Sequence, residues 1–319
     1  MAVLPGTPAR LLVSEQWTTA VAGLLKSDNA FVYDAGDGTR IATPVMFRSR
    51  IDSPRIELTH WSGDIFAVLN TSHGVLCRNF GADGRDGRSH WIFREGLADD
   101  FSVGVLDARP VVAVAHNSYA FDHLWISVFD LVTGQPVSDP WDLGATHEWT
   151  SNVGSDPVRM GRWYGRPIVG ALNWGLWLYA WDGASAWFVV PRDDCACCEH
   201  ALVALDDAAG PSLAVIREHD SVVRCYTGTA DLGNNEMLTP YGAPIVGAPG
   251  RVIGGRLGRW RSRPALALRT EAGISLWNLA DNEWVCHVPI TDSVHDVAFA
   301  PDGSLAAIAE SGPLVIDVE

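Results

Sequence analysis

Cys195-Ala196-Cys197-Cys198-Glu199-His200 places three thiols, a carboxylate and an imidazole within six positions. Thiolates and imidazoles are ligands that zinc and copper favour, so Cys195, Cys197, Cys198 and His200 form a candidate metal set. The spacing departs from that of structural zinc sites, whose Cys pairs stand two to four apart and are completed by a distant second pair. Consecutive Cys197 and Cys198 would point to opposite faces of an extended segment, so only a turn lets them share one ion. The competing reading is a loop of small residues. On that reading no cofactor is expected, and zinc or copper is considered only here.

A second set is scattered along the chain: Asp28, His73, Asn117, Tyr119, Trp174, His219, Asp220 and Glu271, with His295 beside it. Carboxylates, imidazoles and aromatics are the groups that bind ligands or partners when they converge. A plainer reading of His73 and His219 is as solvated turn residues. No Gly-Xaa-Ser-Xaa-Gly elbow, phosphate loop, dinucleotide fingerprint or His-Glu-Xaa-Xaa-His accompanies them. Of the 14 Trp, seven lie between positions 141 and 187. Trp177 and Trp181, an even spacing apart on one strand, share a face that packs as core. Trp174, in Asn173-Trp174-Gly175, stands at a turn tip and is the candidate anchor for a partner.

Only a repeating scaffold can bring such distant residues together, and the chain has one. A short apolar strand recurs seven times, at 18–22, 64–69, 109–114, 166–170, 211–215, 263–267 and 303–307. Steps of roughly 40–55 residues filled with short strands are the period of a β-propeller blade. A following strand ends in an aromatic or apolar residue and then Asp or Asn, as in Phe31-Val32-Tyr33-Asp34, Ile126-Ser127-Val128-Phe129-Asp130 and Ile274-Ser275-Leu276-Trp277-Asn278. Turn chemistry comes next, clearest in Asp130-Leu131-Val132-Thr133-Gly134.

These features resemble the WD-repeat propeller family over essentially the whole length, in a divergent, bacterial-type form. The best stretch is Asp292-Ser293-Val294-His295-Asp296-Val297-Ala298-Phe299-Ala300-Pro301-Asp302-Gly303-Ser304-Leu305; Trp181-Asp182 is the single literal Trp-Asp pair. His147 and His200 stand where the family's opening His does, and Asp28 and Asp220 at its turn-stabilising Asp. The resemblance implies an all-β chain with residues 1–319 as one seven-bladed domain, four antiparallel strands per blade. For blade three the expected strands are 102–107, 110–116, 123–130 and 136–142. For blade four they are 157–162, 166–173, 175–181 and 186–190. Blade seven lacks a fourth strand at its end of the sequence, so residues 2–4 are expected beside 312–317, closing the ring, with 10–14 opening blade one.

The chain carries 23 Lys plus Arg against 38 Asp plus Glu, a net charge of −15. Such a surface repels phosphate backbones and anionic membranes, so neither nucleic acid nor membrane is an expected partner. The first residues lack a basic n-region and an apolar h-region, and no run nears ~18 apolar residues. The six Cys do not recur with the blades. A cytoplasmic, monomeric protein is expected. Three functions stay open. One is a non-catalytic module whose turn face holds a basic or neutral protein; another is an enzyme or ligand binder using a central funnel. The third is a metal or thiol function at 195–200.

Overall fold

The computed structural model describes residues 2–4, 10–18, 26–34, 45–49, 56–62, 64–71, 74–80, 86–94, 98–118, 123–145, 158–172, 176–180, 185–188, 200–206, 212–217, 222–228, 239–299, 304–309 and 312–316. Among them there is no helix, hence none long and apolar enough to cross a membrane. The chain divides into two compact units, Met1–Gly144 and Ala145–Glu319.

The first unit holds three antiparallel sheets. The first comprises β1 (Ala2–Leu4), β2 (Arg10–Thr18), β3 (Lys26–Asp34) and β4 (Val45–Ser49). The second comprises β5 (Ile56–Trp61), β6 (Asp64–Thr71), β7 (Gly74–Phe80) and β8 (Asp86–Phe93). The third comprises β9 (Ala98–Leu106), β10 (Arg109–Ser118), β11 (His123–Asp130) and β12 (Trp141–Ala145).

Four sheets make up the second unit. The fourth is β13 (Val158–Trp163), β14 (Arg166–Leu172), β15 (Leu176–Ala180) and β16 (Ser185–Phe188). The fifth is β17 (His200–Asp206), β18 (Ser212–Arg217), β19 (Val222–Thr227) and β20 (Thr239–Pro240). The sixth is β21 (Val252–Trp260), β22 (Arg263–Thr270), β23 (Gly273–Asn278) and β24 (Glu283–Pro289). The seventh has β25 (Val294–Phe299), β26 (Leu305–Ala309) and β27 (Gly312–Ile316).

The first three expected strands of blade three and all four of blade four stand within a few residues of β9–β11 and β13–β16. The fourth of blade three, expected at 136–142, is instead β12 at Trp141–Ala145, because 136–140 carry only a single Phe129–Pro136 bridge after the turn. The start of the chain differs. Residues 2–4 pair with β2, Ala2 opposite Leu12 and Leu4 opposite Arg10, rather than lying beside 312–317. A strand just upstream closes a short loop at far less entropic cost than one about three hundred residues away. Consequently 10–14 belongs to a second strand, not a first, and β2 pairs with β3 in the role expected of 18–22. Residues 19–22 lie outside the described residues.

In β6, β10, β14, β22 and β26 the middle of the second strand is an apolar run because it is buried on both faces. In β22, Leu266 and Leu268 join a cluster with Val223, Cys225, Ile245, Val252 and Leu257. The alternate residues Ala265 and Ala267 face the other way, onto Ile274, Leu276, Val294, Val297 and Leu305. Val112 and Val114 of β10 pack likewise with Phe66, Val68, Ile92, Phe93 and Phe101. Close approach demands small residues too: a Cβ on Gly258 would fall on the aromatic ring of Phe299.

First and second strands are joined by two-residue turns with positive φ at both positions: Asp107 and Ala108 (46° and 61°), Tyr164 and Gly165 (51° and 76°), Arg261 and Ser262 (49° and 63°). This geometry matches the right-handed twist of the flanking strands. Two of the turns share the pattern Gly-Arg-Trp-Xaa-Xaa-Arg-Pro, at 161–167 and 258–264. Its first Arg bonds back to the turn, Arg162 Nη1 to Gly165 O (3.1 Å) and Arg259 Nη1 to Ser262 O (3.0 Å).

The Asp or Asn ending the third strand organises the next turn. Asp130 Oδ1 accepts the amides of Val132 and Thr133 (both 2.8 Å), and Asp130 Oδ2 lies 3.8 Å from Arg109 at the start of β10. Asn278 Oδ1 accepts the Ala280 amide (3.0 Å), and its Nδ2 donates to Asp281, which Arg263 grips at 2.6 Å. The aromatic–Asp signature is thus a structural device.

Candidate functional site

The turns from second to third strand are where residues were expected to converge, and the best described lies between β22 and β23. Thr270 is buried and accepts the Ala272 amide on its hydroxyl (3.2 Å) while donating to Gly273 O (3.2 Å). Glu271 N donates to Arg251 O (2.9 Å), and Ile290 N to Ala272 O (3.2 Å). Gly273 stands at φ +134°, which a side chain rarely adopts. The turn is therefore held from three sides, and Glu271 projects from it, exposed, with Arg251 Nε 3.9 Å from its carboxylate. So open an ion pair adds ~0–1 kcal/mol and leaves the carboxylate available.

Beneath this turn lies a charge cluster. Asp296 Oδ1 accepts the Val297 amide (2.8 Å) and stands 3.7 Å from Arg256 Nη2. Arg269 Nη2 donates to Ile253 O (3.0 Å). Burial would raise the Asp296 carboxyl, but the positive charges around it, Arg256 and Arg269 among them, prevail and hold it well below the usual carboxylate range. His295 precedes it at an irregularity in the β25–β26 register, between Val294 and Asp296.

In the first unit, His123 opens β11 with its Nδ1 3.0 Å from both carboxylate oxygens of Asp142 on β12. Both side chains are half-exposed. A carboxylate on Nδ1 fixes the ring and leaves Nε2 directed elsewhere, an arrangement suited to binding or proton exchange. This pair was missed from sequence. Its signal, an acid at the start of an outer strand, becomes legible only once β12 is placed beside β11. His116 Nε2 lies 2.9 Å from Ser127 Oγ and its ring stacks 4.5 Å from Phe93, which is packing rather than a free site.

The other predicted residues fall out as follows. Asn117 sits in the ladder opposite Leu124, at the end of β10. Asp28 lies within β3, opposite Gln16 and Phe47, rather than in a turn, because β2 and β3 extend further than expected. His200 is the first residue of β17, opposite Arg217. His73, Tyr119, Trp174, His219, Asp220, Cys195, Cys197 and Cys198 lie outside the described residues, as do His147 and Trp181. Among the described residues no three His, Cys, Asp or Glu side chains cluster as metal ligands would. The described thiols are buried Cys77 and Cys225, pushed up to about 12 by desolvation, and the partly buried Cys286, raised by the same cause.

Stacked four-stranded antiparallel sheets with doubly buried second strands define a β-propeller, and solved structures share that fold. A structure of the Dos1 propeller superposes with a TM-score of 0.56 at 11% identity, covering 92% of this chain and 74% of that one. The WD40 domain of Pan2 from Neurospora crassa does so at 0.55 and 13% identity, covering 92% and 85%. At these identities the likeness is one of fold: this is a WD40-like propeller architecture. Neither a protein-family model nor a curated protein matches the sequence.

Proposed function

We propose that residues 1–319 form one seven-bladed WD-like propeller domain that acts as a non-catalytic protein-interaction scaffold in the cytoplasm. Its second-to-third turns present the binding face, and a monomer engages a basic or neutral protein there. The observation that carries this reading is Glu271, an exposed carboxylate on a turn pinned by Thr270, Gly273 and the Arg251 carbonyl. A rigid scaffold carrying exposed turn side chains is how binding surfaces are commonly built. The acidic chain favours a basic or neutral partner, and Asp28, His73, Asn117, Tyr119, His219, Asp220 and His295 are the proposed further contributors, with Trp174 as anchor.

The test is crosslinking and affinity capture with wild type, Glu271→Lys and Trp174→Ala, each checked for its melting temperature. Trp174→Ala is expected to weaken binding by more than ~1 kcal/mol with stability nearly intact. Unfolding of that variant, with binding per folded molecule unchanged, would assign Trp174 to the core. The His123–Asp142 pair favours a second reading, a ligand binder or enzyme using the turn face, and a small molecule copurifying at one per chain would support it. Cys195, Cys197, Cys198 and His200 stay the proposed place for zinc or copper, which elemental analysis of fresh protein decides.

A further inference from the structure

We propose that the hairpin tips joining β13 to β14 and β21 to β22 are docking points for an acidic, Asp- and Glu-rich segment of a partner protein. The stretches 161–167 and 258–264 carry Arg162, Arg166, Arg259, Arg261 and Arg263, five of the chain's 23 Lys plus Arg, and no acid. A chain of net charge −15 offers its arginines many carboxylates. Arg109, Arg251, Arg256 and Arg263 each take one, at 3.8, 3.9, 3.7 and 2.6 Å. Arg162 and Arg259 do not. Both are exposed, and among the described residues each bonds only the carbonyl of its own turn, Gly165 O at 3.1 Å and Ser262 O at 3.0 Å. That bond fixes the guanidinium at the tip while leaving most of its five N–H donors unspent. A planar fork held this way suits bidentate pairing with a carboxylate.

The hairpin itself does not require these arginines. Arg162 stands opposite Pro167 and Arg259 opposite Pro264; in the hairpin of β9 and β10 the matching partner of Pro110 is Val105. That turn has the same geometry, φ 46° and 61°, with Asp107 at its tip. At the tips of the two arginine hairpins, Tyr164 and Arg261 adopt φ 51° and 49°, where Asn or Gly is favoured. Bulky residues kept in that region concentrate at functional places. Both tip side chains are also anchored. Tyr164 OH donates to Gly228 O (2.8 Å), and the Arg261 guanidinium carbon lies 4.8 Å from the Trp260 ring centre. Anchored side chains have less freedom left to lose on binding.

Charge selects the occupant. The Arg261 tip and the Glu271 turn stand at opposite ends of β22, whose eight residues hold them roughly 23 Å apart. The arginine surface is therefore separate from the acidic turn face and takes a ligand of the opposite sign. A short acidic segment meets the tips alone, whereas a nucleic acid would also lay its phosphates against a chain of net charge −15.

The experiment uses the whole chain at low salt with the fluorescein-labelled acidic peptide DEDEEDE, read by anisotropy, and oligothymidylate as a second probe. The double variant Arg162→Val, Arg259→Val installs the residue that the β9–β10 hairpin already carries, and its melting temperature is checked. It is expected to weaken peptide binding by about tenfold or more, while Glu271→Lys leaves that binding in place, so this surface and the turn face are judged apart. Phenylglyoxal labelling of wild type, mapped by mass spectrometry, needs no variant: the peptide should protect Arg162 and Arg259 and spare Arg251. Three outcomes overturn the proposal. Absent binding, undiminished binding by the double variant, or protection of Arg251 to the same degree would mean no acidic segment docks at these tips. Oligothymidylate binding more tightly than the peptide and losing affinity in the double variant would make this a nucleic-acid surface. A concentration-dependent dimer dissolved by the double variant would mean that a second copy of the chain fills it.

Discussion

Replacing Gly273 by Ala tests whether the turn that presents Glu271 is as rigid as its geometry implies. Gly273 has φ +134°, and a Cβ there would fall on the Val288 carbonyl oxygen and lie 2.8 Å from the Ile290 amide. Forcing a side chain into that conformation costs about 1–2 kcal/mol. Relieving the backbone overlap costs about 1–3 kcal/mol more, and loss of the Ile290–Ala272 hydrogen bond about 1 kcal/mol. Reduced freedom of the unfolded chain returns about 0.4–1 kcal/mol. The net expectation is a loss of about 2–6 kcal/mol. Gly165→Ala is the control: its φ is +76°, but a Cβ there meets nothing within 4 Å, so about 1 kcal/mol is expected. Urea unfolding followed by tryptophan fluorescence measures both, the midpoint shifting at constant slope. Equal losses in the two variants would refute the reasoning, because only conformation and not collision would then matter.

Two further outcomes follow from titratable groups. Asp296→Asn should cost about 1–3 kcal/mol at pH 7, since it removes the carboxylate 3.7 Å from Arg256 and the charge that accepts the Val297 amide. Because the folded carboxyl is held low, wild type carries this stability above the unfolded value near pH 4 and loses it as pH falls toward the folded value. The gap between wild type and variant in acid-titrated denaturation should therefore close below about pH 4. Cys77 and Cys225, pushed up to about 12, should resist iodoacetamide at pH 8 until the protein unfolds, while partly buried Cys286 reacts first of the three described thiols. Unfolded thiols ionise near about pH 8.5, so stability should decline as pH rises above that value toward 12.

The second and third strands were legible in sequence for definite physical reasons. Ala265-Leu266-Ala267-Leu268 is apolar at every position because both faces are covered, and the Asp130 and Asn278 positions announce the turns they bond. Fourth strands were harder. The β20 strand is only Thr239–Pro240, and the chain beside β19 continues irregularly to the Ile245–Val223 bridge, so no periodicity marks it. Ala2-Val3-Leu4 could be recognised as a strand, but pairing is a tertiary choice, and a hairpin with β2 prevailed. At the candidate site, Glu271 could be placed from the turn pattern. Its partner Arg251 and the His123–Asp142 pair could not, since each depends on which strands lie side by side.

Every described ladder joins strands that are consecutive in the chain, from β1 with β2 to β26 with β27. Each sheet can thus form as soon as its own stretch of chain leaves the ribosome, without waiting for anything downstream, and within each unit its exposed face is covered when the next sheet arrives. Synthesis order and assembly order coincide, which spares most of the chain long exposure of unpaired edges.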